Sequence, residues 1–436
     1  MLRLALHGGN SVRRGKPWPL WPSFDEGTER AALAAIHERR WAASWPSSGA
    51  PSYELRFASA FATYVSAAFA VAVDHGSTAV LLALEAAGVG AGDEVLVPAM
   101  TWVASASAVL RAGALPVLVD VDPETGCIDA RAAEQAVTSA TRAVIVVHLA
   151  CTVADLDALL AIATRFDLAV VEDCAQAHGA EWRNRQVGTL GDFGAFSFQS
   201  GKVLAAGEGG AVTTSSPSAF RTLQQLRADG RTYADDVAPG SMELVVDGTV
   251  MGANHCMPEV LAAVALDRLA QLEAQHDRRT TQADELERRL AAEALGIRGL
   301  SSHACVTRRS IYELALRVDV DAIGVPVDTL ATALTAELER PVYPPHDPLH
   351  RSPYFSPSTR PRFRNQWTKD GAMRSVGRSF PGADAYRRST LLTHHAALLG
   401  GEDDIDDFVH AFQKVLANVV ALRNTSGVEG RAVSYS

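Results

Sequence analysis

The chain has 436 residues, 47% hydrophobic and 21% charged, which is enough apolar material for a large core and two domains and argues against extensive disorder. A formal net charge of −10, with no basic stripe, excludes an obvious nucleic-acid binder. The five cysteines show no Cys-x-x-Cys spacing, no apolar run is long enough to cross a bilayer, and residues 1–21 lack the apolar stretch of a signal peptide; a cytoplasmic α/β protein is expected.

From about residue 70 the sequence alternates β-rich and helical runs, the pattern of a mostly parallel sheet. Expected strands are Phe69–Val73, Glu94–Pro98, Leu115–Val121, Ala143–Leu149 and Leu168–Val171, with helices over Ser77–Ala87, Val103–Arg111, Ala130–Ala140 and Leu156–Arg165. Beyond Val171, the strand-like Phe193–Phe198 and Gly210–Thr214 have only glycine-rich connections, so antiparallel pairing is expected there. Residues from Pro258 to about Glu293 read as one long helix, with Pro258 in its first turn and Leu261, Val264, Ala265, Leu269 and Leu272 at helical spacing. That helix is expected to join a large domain, residues 1–265, to a smaller C-terminal α+β domain, residues 266–436, containing a strand at Ile311–Val318 and an amphipathic helix at Ile405–Leu422. Residues 424–436 read as a tail.

Three segments carry chemistry. Asp74–Ala87 places Gly76, Ser77 and Thr78 directly after a strand at a helix start, where free N–H groups and hydroxyls suit a phosphate dianion; an ordinary helix cap fits the same residues. By contrast, Gly88, Gly90 and Gly92 precede a strand, the wrong context for a dinucleotide loop. In Val170–Ala180, Glu172 and Asp173 end an apolar strand, where open α/β sheets bind ligands, and alternation lets only one of them face a site. In Phe193–Ala211, Ser197 and Lys202 lie among Gly201, Gly207, Gly209 and Gly210, which let backbone approach a flat ligand. The chain has only four lysines, and Lys16, Lys369 and Lys414 sit in surface-like settings. A lysine kept at position 202 in an arginine-rich chain points to an amine that must lose its proton.

A phosphate loop, then an acid at a strand end about a hundred residues on, then a lysine about thirty residues later, is the order found in fold-type-I pyridoxal-phosphate enzymes. The chain resembles the DegT/StrS-type amino-sugar aminotransferases, above all in Asp173-Cys174-Ala175-Gln176-Ala177-His178-Gly179 and Phe196-Ser197-Phe198-Gln199-Ser200-Gly201-Lys202. Tyr343–Phe355, with His346 and His350, resembles the aminocyclitol branch. The resemblance implies pyridoxal 5'-phosphate as cofactor and Lys202 as Schiff-base lysine. It also implies Asp173 at the pyridine nitrogen, Gln176 beside the phenolic oxygen and Trp102 stacked on the ring. Gly76, Ser77, Thr78 and Ser197 would cradle the phosphate, and Asn254 would reach a neighbouring subunit's phosphate in a homodimer with shared sites.

The implied activity moves an amino group from glutamine or glutamate to a keto-cyclitol or keto-sugar of aminoglycoside-type metabolism, with Arg227 and Arg231 as candidates for the donor carboxylate. Two departures concern the substrate: Asn254-His255-Cys256-Met257 where the family has Asn-Tyr-Arg-Met, and Ala150-Cys151 where it has Tyr-Gly. The alternatives are a sugar dehydratase, whose relatives lack the Schiff-base lysine, and a non-catalytic partner subunit. A metal at His394-His395 and the acids Glu402–Asp407 is disfavoured, because acids at a helix start answer its dipole.

Overall fold

The computed structural model describes residues 3–293, 295–361, 363 and 378–423; Lys369 and the expected tail lie outside the described residues. A seven-stranded sheet runs in the order Phe69–Val73, Gly210–Thr214, Phe193–Ser197, Ala169–Asp173, Thr141–Val147, Glu94–Pro98, Leu115–Val119. Its strands are near-continuous apolar runs such as Phe-Ala-Val-Ala-Val because both faces are covered. Phe193–Ser197 still pairs parallel with Ala169–Asp173, and antiparallel pairing enters only with Gly210–Thr214, one strand later than expected. That strand follows from the glycine-rich loop 198–209, which holds no helix to carry a parallel crossover.

Strand polarity positions the site. The carboxyl ends of Phe69–Val73, Ala169–Asp173 and Phe193–Ser197 share one edge of the sheet, and Gly210 starts its antiparallel strand there, paired with both Val73 and Ser197. Loops leaving these strands therefore meet above that edge, where α/β sheets receive ligands.

The expected single helix after Pro258 is two, Glu259–Leu269 and Leu272–Ala292, with Pro258 as N-cap of the first. At the join, Ala270 and Gln271 donate their N–H groups to Asp267 and Arg268, a tightened i→i−3 turn. The Gln271 side chain is tied to Arg268 (2.9 Å) and Asp25 (2.7 Å), contacts that helical periodicity does not reveal. The amphipathic C-terminal helix likewise divides, into Glu402–Ala417 and Val419–Arg423.

A second, antiparallel sheet orders Ile297–Gly299, Glu313–Val318 and Thr390–His394, with Glu313 opposite His394. It is bonded to the first sheet's loops, since the N–H of Tyr312 donates to the Ala150 carbonyl at 3.1 Å. The acids Glu402, Asp403 and Asp404 do occupy a helix first turn, and Asp404 and Asp407 also hold the buried Arg13 of the N-terminal arm at 2.5 and 2.8 Å. No described helix is long and apolar enough to cross a membrane.

Candidate active site

Asp173 and Glu172 separate as alternation requires. Both carboxylates are buried. Glu172 accepts the N–H groups of Gly188, Leu190 and Gly191 at 2.7–2.8 Å, together with His148 Nε2 at 3.2 Å. Burial pushes its pKa up, but the His148 hydrogen bond and charge with the Gly188 and Gly191 amides prevail and hold it below the ordinary value. It fastens a loop. His148, Glu172 and Cys174 have ligand atoms within 4.8 Å of one another. His148 Nδ1 accepts the Ala154 N–H at 3.2 Å, so its Nε2 proton goes to Glu172, and burial pushes the Cys174 thiol up. His148 and Glu172 are thus spent on each other and on backbone amides. Asp173 has lighter ties, to the Ser105 hydroxyl at 2.9 Å and the Ala175 N–H at 3.2 Å, which leave lone pairs for a ligand.

The cradle is built by close approach. A Cβ on Gly76 would lie 2.5 Å from Ser197 Cβ, and one on Gly210 would lie 2.6 Å from the His75 backbone. Only glycine at both positions lets the start of the Gly76–Ala86 helix touch the end of Phe193–Ser197. This helix has no side-chain cap and no acid in its first turn, so its N-terminal N–H groups are not competed for by a carboxylate. Gly76, Ser77, Thr78 and Ser197 are brought together, and this donor set fits a phosphate.

Lys202 is half-buried and forms no ion pair with a described residue; its Nζ lies 4.2 Å from the centre of the Tyr312 ring. Burial lowers its pKa against the opposing pull of Asp173 and Glu313. Lys16 instead meets Asp407 at 3.1 Å, and Lys414 meets Glu337 at 2.7 Å. Among the described lysines, 202 is the one without a carboxylate partner.

Gln176 Oε1 accepts the Ala150 N–H at 2.6 Å and lines a narrow cavity with Met100, Ala150, Glu313 and His346. Trp102 lies at the edge of this region, its ring 6.0 Å from His346 and 5.5 Å from Tyr354, so Tyr343–Phe355 is drawn to the site. His350 is not: its nearest carboxylate is Asp384, at 3.8 Å.

Asn254 is exposed, bonded through Oδ1 to the Cys256 N–H at 3.3 Å, on a segment whose His255 carbonyl accepts the N–H of Asp74 at 2.9 Å. The segment thus borders the cradle without Asn254 entering it. Arg227 corrects an expectation. It is fully buried against Glu54 and unavailable to a substrate, while Arg231 is engaged by the Ala228 carbonyl (2.8 Å) and Asp229 (3.0 Å). Arg227→Ala should destabilise the fold by about 3–5 kcal/mol in urea unfolding, since it strands Glu54 without a partner.

The family model for DegT/DnrJ/EryC1/StrS aminotransferases matches residues 28–375. The chain belongs to this family. It is 45% identical to an L-glutamine:2-deoxy-scyllo-inosose aminotransferase of Micromonospora echinospora, over 97% of this chain and 100% of that one. An L-glutamine:scyllo-inosose aminotransferase of Streptomyces griseus is 44% identical, over 95% and 98%. Among solved structures, 3-amino-5-hydroxybenzoic acid synthase superposes with a TM-score of 0.77 at 30% identity, covering 93% of this chain and 99% of that one. DesV of S. venezuelae, solved with a ketimine intermediate, gives 0.73 at 30%, covering 89% and 94%.

This aminotransferase holds site residues that sequence reasoning missed. Glu313 faces the cavity, accepts the Tyr343 hydroxyl at 2.7 Å, and has its pKa raised by burial against the Tyr343 hydrogen bond and the Lys202 charge. A glutamate inside the apolar run Ile311–Val318 was the available signal, because such a charge is buried only for a reason. Ser105 and Tyr312 gave no comparable signal.

Proposed function

We propose that the protein binds pyridoxal 5'-phosphate and transfers an amino group from glutamine to a keto-cyclitol. The observation that carries this is the convergence of a lysine with lowered basicity, a lightly bonded buried aspartate and an uncapped helix start at one sheet edge. The donor and acceptor follow from the names of the relatives at 43–45% identity, among them six L-glutamine:2-deoxy-scyllo-inosose aminotransferases.

When bound, the cofactor supplies an electron-withdrawing ring to the carbon that loses a proton. Gly76, Ser77, Thr78 and Ser197 would hold its phosphate, and Asp173 would keep its ring nitrogen protonated. Gln176 and Trp102 would fix the ring's position. Lys202 Nζ would hold the cofactor and would move the proton of the donor's α-carbon, and the same amine would serve the transfer to the acceptor in the opposite direction. Lys202 weighs against the dehydratase alternative. Incubation with glutamine and 2-deoxy-scyllo-inosose, with mass spectrometry of the cyclitol, tests the assignment. Amination of other ketones alone would refute the acceptor class, and no amination would refute the activity.

The functional unit we infer is a homodimer with shared sites. Asn254 is exposed and borders its own cradle, and large apolar side chains lie open nearby: Trp41 and Trp45 at 62%, Val246 at 84% and Met251 at 95% exposure. The segment carrying the two tryptophans is bonded to the same region, through Ser47 to the Ser241 carbonyl at 2.8 Å and the Trp41 carbonyl to the Glu259 N–H. Such a surface fits a second copy of the chain. Mixed Asn254→Ala and Lys202→Ala chains should regain activity that neither has alone, approaching one working site per heterodimer. Confirmed subunit exchange without recovery would refute the shared site.

A further inference from the structure

Two adjacent imidazoles converge on a single carbonyl. His394 ends the strand Thr390–His394 and His395 opens the following turn, and their rings lie 4.1 Å apart. His394 Nε2 is 3.1 Å and His395 Nε2 3.2 Å from the carbonyl oxygen of Gly201. That carbonyl belongs to the peptide joining Gly201 to Lys202.

Both tautomers are fixed by what the other ring nitrogen accepts. His394 Nδ1 takes the Ala396 N–H at 3.3 Å, and His395 Nδ1 takes the Nε–H of buried Arg279 at 3.1 Å. Each ring's remaining proton is therefore on Nε2, and both are donated to Gly201. The rest of the turn is equally constrained: the Lys202 N–H donates to the Gln199 carbonyl at 2.8 Å and the Gly201 N–H to Gln199 Oε1 at 2.7 Å. Trp21 from the N-terminal arm meets His395 edge-on at 4.5 Å, closing the cluster.

We propose that His394 and His395 are positioning residues, a paired clamp by which the second sheet holds the Gly201–Lys202 peptide and so fixes the base of the reactive lysine. The proposal rests on Lys202 being that lysine. Neutral imidazoles suit the task, because they donate firmly without placing a cation beside an amine that must lose its proton. Burial lowers the pKa of both, with Arg340 next for His394, which falls to about 4, and Arg279 next for His395. The charged or titratable groups acting on the pair are Arg279, Arg340, Lys202 and each other; all disfavour a second proton. With folded values below the unfolded value of about 6.5, the pair's contribution to stability is complete above that pH and is lost as pH falls toward 4.

The test is the rate at which apo protein captures pyridoxal phosphate as a yellow, borohydride-fixable species on Lys202, read alongside kcat and KM. His394 is the better target, since His395 is fully buried and His394 half-buried. His394→Ala should slow capture and kcat by up to about 100-fold, the cost of misplacing a reacting group by roughly 1 Å, with KM for glutamine little changed. His394→Gln, whose amide nitrogen reaches the Nε2 position, should recover most of the rate. His394→Asn reaches only the Nδ1 position and should remain slow, which keeps the test open if the alanine variant fails to fold. Wild-type capture rates in His394→Ala or His394→Asn, or no recovery with His394→Gln, would overturn the clamp. If the wild-type protein itself is not fixed on Lys202, the functional reading fails and the clamp with it.

Discussion

Lys202→Ala is expected to abolish amino transfer, by at least about 10⁴-fold in kcat/KM, the upper end of what a positioned proton carrier contributes. The variant loses covalent attachment as well as the proton shuttle, and no described lysine can substitute: Lys16 and Lys414 are held by Asp407 and Glu337. The residues proposed to hold the phosphate, Gly76, Ser77, Thr78 and Ser197, do not include the lysine, so Lys202→Ala should still bind the cofactor, reversibly. Borohydride reduction of wild-type protein followed by peptide mapping should place the label on Lys202. A label on another residue, or turnover by the alanine variant within about tenfold of wild type, would remove Lys202 from the mechanism.

Asp173→Asn is expected to fold normally, bind cofactor and lose about 10²–10³-fold in turnover, the range for deleting one pre-organised electrostatic partner. The fold should tolerate the change because the amide oxygen can still accept the Ala175 N–H, and its nitrogen can donate to Ser105, whose hydroxyl also bonds Thr101 at 2.9 Å. An amide, however, cannot hold a proton on the ring nitrogen. Glu172→Gln should behave oppositely: its carboxylate binds three backbone amides and His148, so stability falls while any folded fraction stays active. Thermal melts and single-turnover rates of the two variants distinguish these outcomes. Near-normal turnover in Asp173→Asn would refute its role.

The segments around Lys202, Asp173, Gly76 and Ser197 stood out in the sequence because their constraints are local, although a helix cap or a plain strand end fitted two of them until motif order and family resemblance were weighed. A phosphate cradle needs a strand, a small-residue turn and a helix start in immediate succession, and an acid at a strand end declares itself by alternation. Strand limits such as Phe69–Val73 and Glu94–Pro98 followed from buried apolar runs bounded by turn residues. Alternation left open which of Glu172 and Asp173 faces a ligand; packing engages Glu172 with the amides of a loop some sixteen to nineteen residues on and leaves Asp173 the more lightly bonded of the two.

Other features depend on contacts between segments far apart in the chain. Arg227 sits at helical spacing like any surface arginine, and its burial depends on Glu54. At the break beside Ala270, the Gln271 side chain is held by Asp25 of the N-terminal region. The His394–His395 pair read as a weak metal candidate, yet both rings close on Gly201, almost two hundred residues earlier. Local chemistry, together with the order of the motifs, thus singled out a candidate cofactor cradle and a candidate reactive amine from the sequence. The tertiary structure decided which charges are spent on the fold and which remain for the site, because a buried charge is settled by its spatial partner and not by its neighbours in the chain.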